Sequence, residues 1–400
     1  MVFSNQIDKF KTVLISAVIR MPLERKFVTY NALLPYVLKR GSLKYNSIRN
    51  INMKTDELNG AIFDANVVKK GEEQIIQFFI EVIDDKEIVK NTIEFLSEVM
   101  LKPYVENGHF KKEYVEDEKE FLKDEIDGRK NDKKEFAKLR CIEIMCKNEP
   151  FGIYGDGYIE DLENINEKNL YQHYCNVMSQ YSIEFYYVGD IDDDIFKSYV
   201  QEYFDCSTEC NRKFESNIIY DKQEVKKVCE EEGLSQGRLC IGIRTDVEPN
   251  SDDFFALLVA NEIFGGGASS KLFLKLREEN GLCYYVNSFV YRFKTIMFVQ
   301  AGIKKEDFEK SVETIKQCIE EVKNGDFEKS DFQNAVASLS KKYLSTFDYQ
   351  SGIIDFNLSQ NILDYKINID DAMKKLKNVS IEDVSDVMSK VYIDTIYFLC

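Results

Sequence analysis

The chain repeats itself. Val105-Glu106-Asn107-Gly108-His109-Phe110-Lys111-Lys112 returns as Val322-Lys323-Asn324-Gly325-Asp326-Phe327-Glu328-Lys329. Glu57-Leu58-Asn59-Gly60 is echoed by Glu278-Glu279-Asn280-Gly281, and Leu162-Glu163-Asn164-Ile165 by Leu376-Lys377-Asn378-Val379. The matches run in the same order at nearly one offset. They make the 400 residues two copies of one folding unit, and a period this long means duplicated domains rather than a solenoid. The copies are placed at 1–205 and 229–400, with a linker at 206–228 where Cys, Ser, Asn and charge mix. In a duplicated chain one copy can lose chemistry while the other keeps a supporting role.

Composition narrows the function classes. A formal net charge of −17 repels phosphate backbones, so nucleic acid is not expected as a partner. The apolar stretch from Val13 to Ile19 is too short to span a bilayer and lacks a signal-peptide pattern. No membrane partner is expected, and a reducing cytoplasm suits ten cysteines without paired spacings. Cys141 with Cys146, and Cys206 with Cys210, lack the second pair that a four-thiolate zinc site needs.

Periodicity supplies the fold. Alternating or continuous apolar runs predict strands over 10–19, 61–68, 74–82 and 183–188 in the first copy. In the second copy they fall at 238–243, 282–290, 296–303 and 395–399. Helical spacing covers 26–39, 47–58, 86–101, 111–126, 133–146 and 167–180, then 253–264, 270–279, 305–323, 329–347, 370–377 and 382–392. Ser380 with Asp383 resembles a capping box. Gly41, Gly108 and Gly325 read as helix caps, and Phe110 and Phe327 as staples. Short turns join neighbouring strands, so those pairs are antiparallel. The fold class is α+β: two homologous domains, each a mainly antiparallel sheet with helices packed on one face.

The second copy carries Phe264-Gly265-Gly266-Gly267-Ala268-Ser269-Ser270-Lys271-Leu272-Phe273, then Leu276-Arg277-Glu278-Glu279-Asn280-Gly281-Leu282-Cys283-Tyr284. This segment resembles the signature of the pitrilysin/insulinase-type zinc peptidases. Pro150-Phe151-Gly152 and Tyr187-Val188-Gly189-Asp190 resemble two further family segments, as does the two-copy layout. Catalytic members carry His-x-x-Glu-His on the first helix of the first half. There two imidazoles one turn apart hold zinc and the Glu activates water. Counting back from Gly41, those positions are Ala32, Pro35 and Tyr36. Ala32 has no donor atom, Pro35 no side-chain base, and Tyr36 is a poor zinc ligand. Glu125 stands where the family's later zinc-binding Glu falls, with Glu118 one heptad before it. A carboxylate alone holds zinc weakly. The two histidines, His109 and His173, have no partner histidine at i+3 or i+4. Gly265-Gly266-Gly267 is not a phosphate loop, because no Gly-Lys-[Ser/Thr] follows.

In the family, an Arg and a Tyr seven residues apart in the second half bind substrate and steady the tetrahedral intermediate. The resemblance assigns these roles to Arg277 and Tyr284, both of which can donate to an oxyanion. The segment Leu33-Leu34-Pro35-Tyr36-Val37-Leu38-Lys39-Arg40-Gly41 resembles a bacterial branch that lacks the zinc motif and is typically encoded beside a zinc-bearing relative. The expectation is a subunit with no catalytic residue, no metal and no cofactor of its own. It would help bind a peptide substrate for a zinc-bearing insulinase-family partner in a heterodimer, or pair as a homodimer. Zinc would sit in the partner, and an exposed strand edge near 282–286 would pair with the peptide. Two alternatives stay open: a stand-alone peptide-binding scaffold or chaperone, and a hydrolase using Glu118, Glu125 and His109.

Overall fold

The computed structural model describes residues 1–204 and 224–400. In chain order the first half gives β1 (Val2–Gln6), β2 (Thr12–Pro22), α1 (Val28–Lys39), α2 (Ile48–Glu57), β3 (Ile62–Lys70), β4 (Glu73–Ile83), α3 (Lys86–Leu101), β5 (Val105–Glu106), β6 (His109–Phe110), α4 (Lys112–Gly128), α5 (Lys133–Met145), α6 (Ile159–Leu162), α7 (Glu167–Gln180), β7 (Ile183–Gly189) and α8 (Asp193–Tyr203). The second gives β8 (Lys226–Glu230), β9 (Gly237–Arg244), α9 (Asp253–Asn261), β10 (Cys283–Tyr291), β11 (Ile296–Ile303), α10 (Phe308–Lys323), α11 (Lys329–Thr346), α12 (Gln350–Leu363), α13 (Ile369–Asn378), α14 (Ile381–Ser389) and β12 (Tyr392–Leu399).

The duplication is visible in the sheets. The first five-stranded sheet runs β1-β7-β2-β4-β3, and the second, read from its far edge, runs β8-β12-β9-β11-β10. Strand by strand these are the same order. In each, three pairs are antiparallel and the outermost strand is parallel to its neighbour, β1 to β7 and β8 to β12. The α+β class, with two mainly antiparallel sheets and packed helices, is the one expected from the sequence; helices cover both faces of each sheet rather than one.

The described chain divides into two compact units that do not follow the halves. One holds Met1–Gly128, the described part of the stretch from Ile153, and Tyr349–Ile362; the other holds Arg129–Gly152, 224–348 and Leu363–Cys400. Each unit therefore takes one helix from the other half of the sequence. In the first unit, Val13, Ile15, Ala17 and Ile19 of β2 face a core shared with α1, α3 and α7. The opposite face of the sheet is covered by α12. Its Gln350 donates to the carbonyls of Thr12 (2.6 Å) and Val188 (3.1 Å), and its Asp355 pairs with Lys70 at 2.6 Å. In the second unit, Leu239, Ile241 and Ile243 of β9 face α9, α10 and α14. The intervening Cys240 packs with Tyr397 and Phe298 against Cys141 and Met145 of α5. A strand buried on both sides reads as a continuous apolar run, which is why β2 shows no clean alternation.

Local chemistry sets the boundaries. Ser47, Asp85, Asp132, Asn166 and Asp192 each accept from backbone N–H groups at the start of α2, α3, α5, α7 and α8. The Ser380–Asp383 capping box is present at α14. Gly325 (φ 72°) ends α10 in the left-handed region, with its N–H on the carbonyl of Val322 and that of Asp326 on Glu321. Gly108 differs from expectation: with Asn107 it forms the tight turn of the β5–β6 hairpin rather than a helix cap. Gly41 likewise sits just past Arg40 at the end of α1, where a Cβ would meet backbone of Tyr45 and Asn46 at 2.9 Å. Most of the expected linker lies outside the described residues, and its last three positions, 226–228, open strand β8.

Candidate functional site

The positions singled out on the first helix lie on α1, in the first unit. Ala32 and Pro35 are buried. Pro35 sits inside the helix, where it removes one backbone donor. Tyr36 is half-buried, its ring edge-on to Phe121 of α4 at 5.3 Å. Burial pushes its phenol above the ordinary value, and the carboxylates of Glu125, Asp64, Asp156 and Glu118 add to the shift. Tyr36 and Glu125 are thus neighbours, as the motif implies, but Glu125 faces solvent. Glu118 is tied to Arg40 at 3.2 Å, and Asp64 is paired with Lys39. Burial outweighs that Arg40 contact and raises the Glu118 carboxyl.

Beside α1 runs a buried polar chain that the sequence did not disclose. His173 of α7 lies 2.6 Å, through Nε2, from Oδ1 of Asn31. Asn31 donates through Nδ2 to Gln74 at 2.8 Å, and Gln74 donates to the carbonyls of Val28 (2.8 Å) and Gly155 (2.7 Å). Each amide is oriented by the next, so the His173 contact is Nε2–H donating to an oxygen. Phe27 stacks on the imidazole at 5.4 Å and Tyr30 flanks it at 5.3 Å. Burial lowers the His173 pKa to about 4, so the ring is neutral at pH 7. His109 sits in the β5–β6 hairpin, its Nδ1 3.2 Å from the carbonyl oxygen of Phe110. Signals for the polar chain existed only as three isolated polar residues far apart in sequence.

Arg277 and Tyr284 lie in the second unit. After α9 the chain continues as a π-helical turn over Glu262–Gly266, and a second π-helical segment covers Phe273–Glu279. Such turns are rare and often mark functional sites. Gly265 is required by close packing: a Cβ there would meet Ser288 Oγ at 2.5 Å and Leu272 at 2.6 Å. The buried Glu262 carboxylate accepts from Ser338 (2.7 Å) and Lys342 (2.7 Å). The second π-helical segment is followed by Asn280 and Gly281 (φ 59°), after which Leu282 N–H reaches the Leu276 carbonyl at 2.8 Å and the chain turns into β10. Arg277 packs its guanidinium over Phe273 at 4.9 Å and keeps its side chain partly in solvent. Tyr284 is 76% exposed. β10 is the edge strand of its sheet, bulged between Cys283 and Tyr285. Arg277 pairs with Glu278 at 3.7 Å, both side chains reach solvent, and among the described strands β10 has a neighbour on one side only.

Pro150-Phe151-Gly152 forms a short 3-10 turn in the same unit, with Phe151 edge-on to Tyr291 at 5.6 Å. It delivers the buried Glu149 to Arg244 (2.6 Å) and Lys294 (2.8 Å), while Arg244 also binds Asp394 at 2.7 Å. Burial works to raise the Glu149 pKa, but hydrogen bonds from Arg244 and Lys294 together bring it below the ordinary value.

Over 398 residues, 98% of this chain and 93% of the relative, the sequence is 34% identical to the "Probable inactive metalloprotease YmfF" of Bacillus subtilis. The model of the "Peptidase M16 inactive domain" matches residues 164–339. The chain belongs to the M16 peptidase family. This is the insulinase type that the Gly265–Tyr284 segment resembles. A second relative, the "Uncharacterized zinc protease YmxG" of the same organism, is 22% identical over 59% of this chain and 58% of its own length. Among solved structures, a conserved protein from Enterococcus faecalis aligns over 100% of this chain and 95% of its own, with a TM-score of 0.90 at 22% identity. An M16 inactive-domain protein from Pseudomonas fluorescens covers 100% and 95%, with a TM-score of 0.82 at 15% identity.

Zinc belongs to the chemistry of catalytic M16 members, and the residues here do not fit it. A methyl group and a phenol packed on Phe121 stand at the two ligand positions and a pyrrolidine ring at that of the general base, and the neighbouring Glu125 faces solvent. Among the described residues, no group of three or more His, Cys, Asp and Glu is gathered so as to hold a metal ion. Cys141 and Cys146 are buried core residues, and Cys206 and Cys210 lie outside the described residues. No described helix is long and apolar enough to cross a membrane.

Proposed function

We propose that this M16 chain is a non-catalytic, cytoplasmic subunit of a heterodimeric insulinase-type metallopeptidase. It helps bind and position an extended peptide for a partner that brings zinc and the general base. The observation that carries the reading is a contrast between the two units. The α1 helix presents no ligand, whereas the Arg277–Tyr284 segment keeps an exposed guanidinium and phenol beside an edge strand. A peptide added to that edge would gain backbone hydrogen bonds from β10 and side-chain contacts from Tyr284. Arg277 and Tyr284 would then donate to the oxyanion that develops on the peptide carbonyl under attack. The name of the Bacillus relative, a probable inactive metalloprotease, supports the non-catalytic part of this reading.

The test is co-expression with a zinc-bearing M16 relative from the same organism, followed by size analysis and peptide cleavage. A stable heterodimer is expected, with cleavage falling about 100-fold in Arg277→Ala. Cleavage by this chain alone, or a complex indifferent to Arg277→Ala and Tyr284→Phe, refutes the reading. Tight peptide binding with no complex formed would leave a scaffold in its place.

A further inference from the structure

We propose that Cys229 and Cys400 form a reversible dithiol–disulfide site that clamps edge strand β8 to β12. The two sulfurs lie 3.7 Å apart. Cys229 pairs in register with Phe398, so Cys400, two residues further on, projects from the same face of the sheet. The backbone around both is already fixed: Cys400 N–H donates to the Glu230 carbonyl at 3.0 Å, and Gly233 N–H donates to the Cys400 carbonyl at 3.1 Å. A disulfide needs sulfurs about 2.0 Å apart and Cα atoms within about 7 Å. Cys400 stands diagonal to Cys229, two residues beyond its register partner Phe398, a position at which neighbouring strands hold Cα atoms about 7–8 Å apart; closing the bond takes side-chain rotation with a small approach of the two strand ends.

The pair is also asymmetric in a useful way. Among the eight described cysteines only Cys229 is exposed, and Cys400 is buried behind it. The exposed thiol meets an oxidant first and the buried one resolves it. Burial and the hydrogen bond shared with Cys400 raise the Cys229 thiol, and the Lys305 ammonium opposes them. Lys305 is held there by Glu231 at 2.5 Å. The remaining described thiols lack this arrangement: Cys141, Cys146, Cys240, Cys283 and Cys318 are buried, and Cys175 is half-buried.

The chemistry balances with a low-molecular-weight disulfide as oxidant. The Cys229 thiolate attacks one sulfur of that disulfide, forming a mixed disulfide and releasing one small thiolate. The Cys400 thiolate then attacks Cys229 Sγ, closing the protein disulfide and releasing the second. Two protein thiols are oxidised, one small disulfide is reduced, and the two protons pass to the released thiolates.

β8 pairs only with β12 among the described strands. Oxidation would turn a peelable parallel edge into a fixed one, and reduction would release it. The experiment uses the full chain and oxidised glutathione, with alkylation of remaining thiols and peptide mass spectrometry. Loss of two alkylatable thiols, a Cys229–Cys400 cross-linked peptide and no retained glutathione are expected, all reversed by dithiothreitol. Amide exchange over 226–230 should slow about tenfold or more on oxidation. Cys400→Ser should trap glutathione on Cys229 as a stable mixed disulfide, and Cys229→Ser should leave Cys400 unreacted. Serine is close to isosteric, and unchanged circular dichroism will show that both variants fold. Glutathione retained on Cys229 of the wild-type chain, or no reaction at Cys229 under conditions that oxidise free cysteine, overturns the proposal.

Discussion

His173 gives the sharpest test of the first unit's interior. Its imidazole is a neutral donor to Asn31, stacked on Phe27, with burial lowering its pKa to about 4. The unfolded chain takes up the proton near pH 6.5. Below that pH the unfolded state binds more protons than the folded one, so stability falls with falling pH. The loss runs from about pH 6.5 down to about pH 4 and then levels off. It reaches about 2.5 kcal/mol at pH 4.5 and about 3 kcal/mol at its limit. Two measurements follow. The chain has only two histidines, so NMR shows one imidazole Cε1–H signal for each, and a His109→Gln variant assigns them. The His173 signal should stay unchanged from pH 7.5 to 5 and titrate near 4. Urea unfolding of the first unit, compared with His173→Gln, should show the wild-type chain losing about 2 kcal/mol more stability than the variant between pH 7 and 4.5. A His173 midpoint near 6.5, or parallel stability curves, would refute the buried neutral donor.

Two further substitutions probe the second unit. Glu149→Ala removes the buried carboxylate that Arg244 and Lys294 share, leaving Arg244 its pairing with Asp394, and should cost about 3–5 kcal/mol in thermal or urea unfolding; a loss below about 1 kcal/mol would mean that the cluster is solvated. Gly265→Ala forces a methyl group into Ser288 and Leu272, and should cost about 1–3 kcal/mol; an unchanged melting temperature would mean that the glycine run serves another purpose.

Much of this was written locally. The hairpin β3–β4, the helix Lys86–Leu101, the helix Glu167–Gln180 and the strand Ile296–Ile303 follow from periodicity because each presents one apolar stripe or a continuous apolar run. What escaped has a common cause. β1 and β8 are short, parallel and at sheet edges, and Lys226-Lys227-Val228-Cys229-Glu230 has no alternation to betray it. α12 buries Gln350 and Gln360 along with Ile353, Ile354 and Leu358, so its inner face is not an apolar stripe. The emptied metal positions at Ala32, Pro35 and Tyr36 were legible, because absence of a donor is a property of residue type. The proximity of Glu125 to Tyr36, and the polar chain joining residues 31, 74 and 173, exist only once α1, α4 and α7 are packed. The exposure of Arg277 and Tyr284 likewise needed the edge position of β10.

The loan of α5 and α12 between the halves bears on how such a chain is made and cut. A polypeptide split near the junction of its repeats would yield two fragments, each with a sheet stripped of the wall on one side. The amino-terminal fragment would leave Ser16 and Gln77 bare where α12 should lie, and the carboxy-terminal one would uncover Cys240 and Tyr397. Synthesis must therefore run almost to completion before the earlier sheet can close. Cutting between the repeats, harmless to beads on a string, here leaves two fragments that must find each other again to cover both sheets.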